Sequence, residues 1–257
     1  MTKTDKLNKT KTFYKTNKVK ETLRNKPWHE RLELAEQKLY LNYLVHDEKW
    51  YVRLEVARQG YGLNVLINDE NFDVRRAVVQ QDYRLETLVN DEDPLIRCEV
   101  AKRGFGLDIL LDDHDCVVRL EVAKQGYGLD KLVKDRSWFI RSEIAKQLGL
   151  VVLARDSSKL VRSQVARQGD FLDILVNDKD PYVRLEVAKK GYGLETLVND
   201  EDLYVRCEVA KQGYGIETLV KDTSWEVRAS LAKNGHAFEL LENDSNWLVR
   251  KETLNLI

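Results

Sequence analysis

Arginine and aspartate recur in this chain at a fixed distance, and that pairing is its first arrangement with chemical potential. Arg53 follows Asp47 by six residues, and the same step links every later pair through Arg250 with Asp244. Of the eleven arginines in the column that begins at Arg31, ten have such an aspartate. A guanidinium offers a planar fork of donors that holds a phosphate or a carboxylate by two bonds at once. The column therefore reads either as a rail for nucleic-acid phosphates or as the rungs of a structural Asp/Arg ladder between repeats. Charge opposes the rail, because 33 basic residues face 41 acidic ones after residue 26, and a polyanion is repelled by that balance. The ladder is the expectation.

Other chemistries find no constellation. The acidic runs Asp91-Glu92-Asp93, Asp112-Asp113-His114-Asp115 and Asp200-Glu201-Asp202 invite calcium, but they lack the fixed glycine and distal bidentate glutamate of a dedicated loop. Helix caps and ladder partners account for them. His29, His46, His114 and His236 stand in different columns without a recurrent nucleophile beside them. Cys98, Cys116 and Cys207 have neither disulfide nor metal-ligand spacing. Each Gly-x-Gly belongs to the helix exit of a repeat, so no phosphate or dinucleotide loop is read from it. The expectation is a protein that is not an enzyme, with no metal and no cofactor. Among 257 residues, 43% are hydrophobic and 33% charged, with a net charge of −1. No apolar run of membrane length interrupts them, and the expected setting is soluble and cytoplasmic.

The elements that must position these columns follow from the period. The arginine anchors are 22 residues apart except for one step of 21, from Arg141 to Arg162, where a loop residue is missing at 146–150. Four residues before the anchor stand Asn71, Asp93, Asp115, Ser137, Ser158 and their equivalents, side chains that cap helix N-termini. The next column holds Pro94, Pro181 and all five tryptophans, and suits a first helical turn. Val183, Val187 and Ala188 form a buried stripe; Tyr182, Glu186 and Lys189 mark the solvent side. Gly191 and its equivalents close the helix in the left-handed conformation. Leu194, Leu197 and Val198 then give apolar spacing over too few residues for more than one turn or a 3₁₀ helix. No segment alternates as a strand. The prediction is an all-α repeat solenoid over 27–257, preceded by a basic arm at 1–26 that is flexible or weakly helical. With neighbouring helices about 8 to 10 Å apart, eleven repeats give a contour of roughly 90 to 110 Å.

The run from Asp178 through Val183, Arg184, Val187, Ala188, Leu194 and Leu197 to Asp200 resembles the leucine-rich repeat variant family. The resemblance covers almost the whole chain after the first two dozen residues. It implies a right-handed, sheetless superhelix in which each repeat pairs an α-helix with a 3₁₀ helix. The chain departs from that family in its shorter loops. It also lacks the cysteine-rich N-terminal cluster that carries an iron-sulfur centre in one member.

Partner contacts are expected on the exposed helix stripe, where Tyr51, Phe139, Tyr182 and Tyr204 recur beside pairs such as Glu121 with Lys124 and Glu208 with Lys211. The tryptophan column is read as packing over the loop of the preceding repeat. Two irregular repeats add candidates. One carries Arg76 and Arg84 where others have leucine and glycine; the other, around 148–171, has the shortened loop with Ser163 and Gln164. The arm at 1–26 has a net charge of about +7; Lys9, Lys11, Lys15, Lys18 and Lys20 are its candidates for nucleic acid. The resulting expectation is a monomeric, nonenzymatic protein-binding scaffold, an inhibitor or adaptor of a macromolecular partner. The alternative is a nucleic-acid-associated module using the arm; an enzyme accessory subunit is a third reading.

Overall fold

The computed structural model describes residues 18–254, and every element among them is helical. The chain divides into two compact units at Tyr127 and Gly128. In the first, a helical segment at 18–24 precedes long helices Trp28–Glu36, Trp50–Arg58, Phe72–Gln80, Pro94–Lys102 and Cys116–Lys124. These alternate with one-turn helices Leu41–Leu44, Leu63–Leu66, Leu85–Leu88 and Leu107–Leu110. The second opens with Leu129–Leu132. Its long helices are Trp138–Gln147, Lys159–Gln168, Pro181–Lys189, Leu203–Lys211, Trp225–Lys233 and Trp247–Leu254, and Val151–Ala154, Leu172–Leu175, Leu194–Leu197, Ile216–Leu219 and Phe238–Leu241 lie between them. Within each unit every long helix packs on the next long helix in sequence. That nearest-neighbour pattern defines a helical repeat solenoid.

Local chemistry explains the elements. Asp180 accepts from the Tyr182 amide at 3.0 Å and Asp202 from the Tyr204 amide at 2.9 Å, satisfying donors that the first turn leaves unpaired. Ser137, Ser158 and Ser224 make no such bond. The aspartate two residues upstream ties the entry down in those repeats too, as where Asp156 Oδ1 accepts from the Ser158 amide at 2.7 Å. The second element is a single α turn, with Leu197 N–H bonding Gly193 O at 3.0 Å and Val198 N–H bonding Leu194 O at 2.9 Å. Leu175, Leu197 and Leu219 from these turns are buried together with Val183, Val187 and Ala188 and their equivalents; a fully buried leucine or valine contributes about 1.5 to 3 kcal/mol.

The arginine column forms the ladder, between neighbouring repeats. Arg184 Nε donates to Asp200 Oδ2 at 2.6 Å and Nη2 to Asp200 Oδ1 at 2.9 Å, while Nη1 reaches back to the Asp178 carbonyl at 2.7 Å. Arg53 does the same with Asp69 and the Asp47 carbonyl at 2.6, 2.9 and 2.7 Å. Each aspartate thus takes the guanidinium of the repeat before it, while its own carbonyl serves the arginine after it. The shortened loop leaves the ladder intact: Arg141 binds Asp156, one residue nearer in sequence, at 2.6 and 2.9 Å. The missing residue is absorbed where Leu148 turns extended, at φ −134°.

Burial pushes the Asp113 and Asp156 carboxyls up, but bonds from Arg97 and Arg141 and from backbone amides outweigh it and hold both below the usual range. Arg228 chiefly holds Asp244 down. A carboxyl depressed in the folded state stabilises fully above its unfolded value near 4 and loses that contribution as pH falls through the folded value. The urea midpoint should therefore be flat from about pH 7 to 5 and fall steadily below about pH 4; a midpoint unchanged at pH 3 would contradict ionised rungs.

Candidate functional site

Three columns on the long helices of the second unit make one face. Two residues before the anchors Arg141, Arg162, Arg184 and Arg206 stand Phe139, Leu160, Tyr182 and Tyr204; two after them, Glu143, Gln164, Glu186 and Glu208; five after them, Lys146, Arg167, Lys189 and Lys211, while in the last two helices Glu226 and Leu248 take the first column. These offsets lie three to four residues apart, so they share one helical face. Contacts run within and between helices. Lys146, Lys189 and Lys211 bind Glu143, Glu186 and Glu208 of their own helices at 2.8, 3.0 and 2.9 Å. Arg167, whose helix carries Gln164 in the carboxylate column, reaches the next helix instead. It meets Glu186 at 3.2 Å, donates to the Tyr182 hydroxyl and lies 5.5 Å from the centre of that ring.

The depth of these groups differs from the sequence expectation. Glu143, Glu186 and Glu208 are not on the solvent side: their side chains are only 6% to 19% exposed, whereas the four cations above them are 44% to 51% exposed. Glu186 shows why. At about 100° per residue it lies only about 60° around the helix from Val183, on the shoulder of the buried stripe. Because each long helix packs against neighbours on two sides, that shoulder is covered. Burial pushes the Glu186 carboxyl up, and bonds from Arg167 and Lys189 outweigh it, leaving it below the usual range. The recessed acids pair with the outer cations, so the face shows aromatic side chains among internally neutralised charges. Tyr204 and Phe139 are 66% and 52% exposed; Tyr182 is half-buried under Arg167.

The other candidates separate from this group. Tyr51 stands in the corresponding column of the first unit, whereas Arg76, one residue after its anchor, lies outside the three columns and approaches Glu99 of the next helix at 3.7 Å. Tyr51 is half-buried between Trp28 and Trp50, at ring distances of 4.9 and 5.6 Å. Trp28 therefore leans on the following helix, where sequence placed this column over the preceding loop. Arg84 is off the face: it starts a one-turn helix at φ 48° with its side chain exposed. Beside it Asp82, also left-handed at φ 53°, binds Arg103 at 3.0 Å, and Arg103 donates to the Gln80 carbonyl at 3.0 Å, closing the irregular exit. Lys18 and Lys20 lie on the segment 18–24, while Lys9, Lys11 and Lys15 lie outside the described residues. Lys20 and Arg24 line a cavity of about 770 Å³ with Tyr43, His46 and Glu48.

The acidic loops have structural duties. Asp91 takes Arg75 and the Asp93 amide, and Asp93 caps the next helix through the Leu95 amide. Cys98 and Cys207 are buried and Cys116 is exposed; burial pushes the Cys98 thiol up to about 11. Among the described residues no helix is long and apolar enough to cross a membrane. The Glu/Lys pairs stand on the stripe the sequence offers; what it does not show is that Arg167 turns to the next helix, for which Gln164 in place of glutamate was the available signal. Fold and face together define a helical-repeat protein with an exposed aromatic surface. The chain matches no known family model and no curated protein.

Proposed function

We propose that this protein is a nonenzymatic, protein-binding repeat scaffold, acting as an inhibitor or adaptor of a macromolecular partner. One observation carries the reading: the second unit presents Phe139 and Tyr204 to solvent on a face whose recurring charges are otherwise satisfied internally. Exposed aromatic side chains flanked by cations are the residue types that dominate protein interfaces. The ladder arginines, by contrast, are committed to aspartates and carbonyls and are not free for phosphate. Kinship with the leucine-rich repeat variant family, a cytoplasmic setting and a monomeric state belong to the same proposal.

The test is affinity capture followed by mass spectrometry, comparing the parent chain with a Phe139→Ala, Tyr182→Ala, Tyr204→Ala variant of unchanged melting temperature. Each aromatic hot spot is worth about 2 kcal/mol or more, so partners should be lost from the variant. Identical partner sets would remove the reading. The nucleic-acid alternative is favoured by one feature, the basic segment whose Lys20 and Arg24 face a cavity in the first unit. It predicts oligonucleotide binding that falls steeply with salt and disappears when residues 1–26 are deleted.

A further inference from the structure

A cavity of about 770 Å³ lies in the first unit, between the helical segment 18–24 and the one-turn helix Leu41–Leu44. Buried Leu23 and Leu44 line it from the two sides, together with the half-buried ring of Tyr43. Its charges fall into two groups. Arg31 is committed, because Asp47 takes its Nε at 2.7 Å and its Nη2 at 3.1 Å, and Nη2 also lies 3.3 Å from Glu48. Lys20 and Arg24 are exposed, and among the described residues neither side chain makes an ion pair or a hydrogen bond. Four residues apart, they stand on one face of the segment, and both line the cavity. This cation pair is no general feature of the repeat. Eleven and seven residues before the later anchors of the first unit stand Asn42 with His46, Asn64 with Asn68, Glu86 with Asn90 and Asp108 with Asp112.

We propose that this cavity binds a small organic phosphate, its phosphate group held between Lys20 and Arg24 and its body set against Tyr43 and Leu44. The inference is independent of the protein-binding reading. With Arg31 and Asp47 cancelling, one acid remains to oppose the two cations, and that acid, Glu48, is 71% exposed and drawn towards Arg31 and Lys49. The cavity therefore keeps an excess of positive charge. A phosphate monoester carries roughly −1.5 to −2 near neutral pH and uses both cations; a guanidinium and an ammonium are the side chains that hold such groups. The volume lies within the range of about 300 to 1,000 Å³ typical of small-molecule sites. A nucleic-acid strand fits less well. Running on along the repeats, it would leave the two cations, pass two asparagines and meet Glu86 and Asp108 in the column of Lys20.

Isothermal titration of the full chain tests this with adenosine monophosphate, phenyl phosphate, adenosine, inorganic phosphate and a short oligothymidylate. Adenosine monophosphate, whose planar body suits Tyr43, should bind about tenfold more tightly than adenosine or inorganic phosphate. A Lys20→Gln, Arg24→Gln variant should lose about tenfold, whereas Lys251→Gln, which removes a positive charge from the second unit, should lose nothing. Glu48→Gln should bind about threefold more tightly, because it removes the one opposing charge. That opposite sign keeps the test decisive should the double variant lose the order of its helical segment. No binding of either organic phosphate, equal affinity for adenosine and adenosine monophosphate, or tighter binding of the oligothymidylate would overturn the proposal. Unchanged affinity in both the double variant and Glu48→Gln would overturn it as well.

Discussion

Arg184→Ala is expected to destabilise the second unit by about 3 kcal/mol. The truncation leaves the Asp200 carboxylate, 5% exposed, without its bidentate partner, and removes the bond to the Asp178 carbonyl. Breaking a buried pair from one side costs about 3 to 5 kcal/mol because the remaining charge is stranded, and water reaching the rung from the loop reduces that figure. Glu201 supplies the internal control. It lies 3.1 Å from the same guanidinium but is 82% exposed, so Glu201→Ala should change stability by less than about 0.5 kcal/mol. Urea unfolding followed by far-ultraviolet circular dichroism checks both. Equal midpoints for Arg184→Ala and Glu201→Ala would contradict the ladder.

Gly193→Ala is the second substitution with a large expected cost, about 2 to 3 kcal/mol, from two sources. The backbone there is left-handed, at φ 62°, and an added Cβ would stand 2.4 Å from Val176 Cγ2. Side chains do occupy this column elsewhere, Ala237 seventeen residues after Val220 and Arg84 after Ile67, so a local shift can admit a Cβ beside a branched residue, and one repeat makes room directly. Phe171 occupies the equivalent left-handed position at φ 50°, and the residue 17 positions before it is Ala154, where Gly193 has Val176. Gly193→Ala combined with Val176→Ala should therefore be less destabilising than the two single changes added together. Arg84, at φ 48°, gives the reverse case: Arg84→Gly relieves a strained backbone and should hold or raise stability by up to about 1 kcal/mol. Melting curves of these variants decide the matter, and additive losses would show that the Val176 contact is not what forbids a side chain at residue 193.

Much of the fold was legible because a period of 22 turns each local signal into a column. Capping aspartates, exit glycines and the Val183 stripe all stand where they were expected. The rung itself was ambiguous for a physical reason. In a regular array an aspartate six residues before an arginine and one sixteen after it occupy the same column in adjacent repeats, so spacing alone cannot say which carboxylate is taken. Arg141 and Asp156, fifteen apart, show that contact follows the column and not a fixed separation. The depth of Glu186 was only partly legible: its place about 60° from Val183 puts it on the shoulder of the stripe, but the cover comes from neighbouring helices. The candidate contacts were less legible still: Phe139, Tyr182 and Tyr204 share a face, but Tyr51, Arg76 and Arg84 belong to the other unit. Outer cations could not be told from ordinary solvated lysines until the glutamates beneath them were seen to be buried.

Neighbouring repeats are locked in register by Arg/Asp rungs, of which Arg184 with Asp200 is representative. A double-mutant cycle on Arg184 and Asp200 measures that lock directly, from the urea unfolding of Arg184→Ala, Asp200→Ala and the double variant. The account predicts a coupling energy of about 2 kcal/mol, with the double variant no worse than the poorer single variant. Additive losses, with a coupling below about 0.5 kcal/mol, would show that the two residues act independently and would contradict the ladder as the device that holds the repeats together.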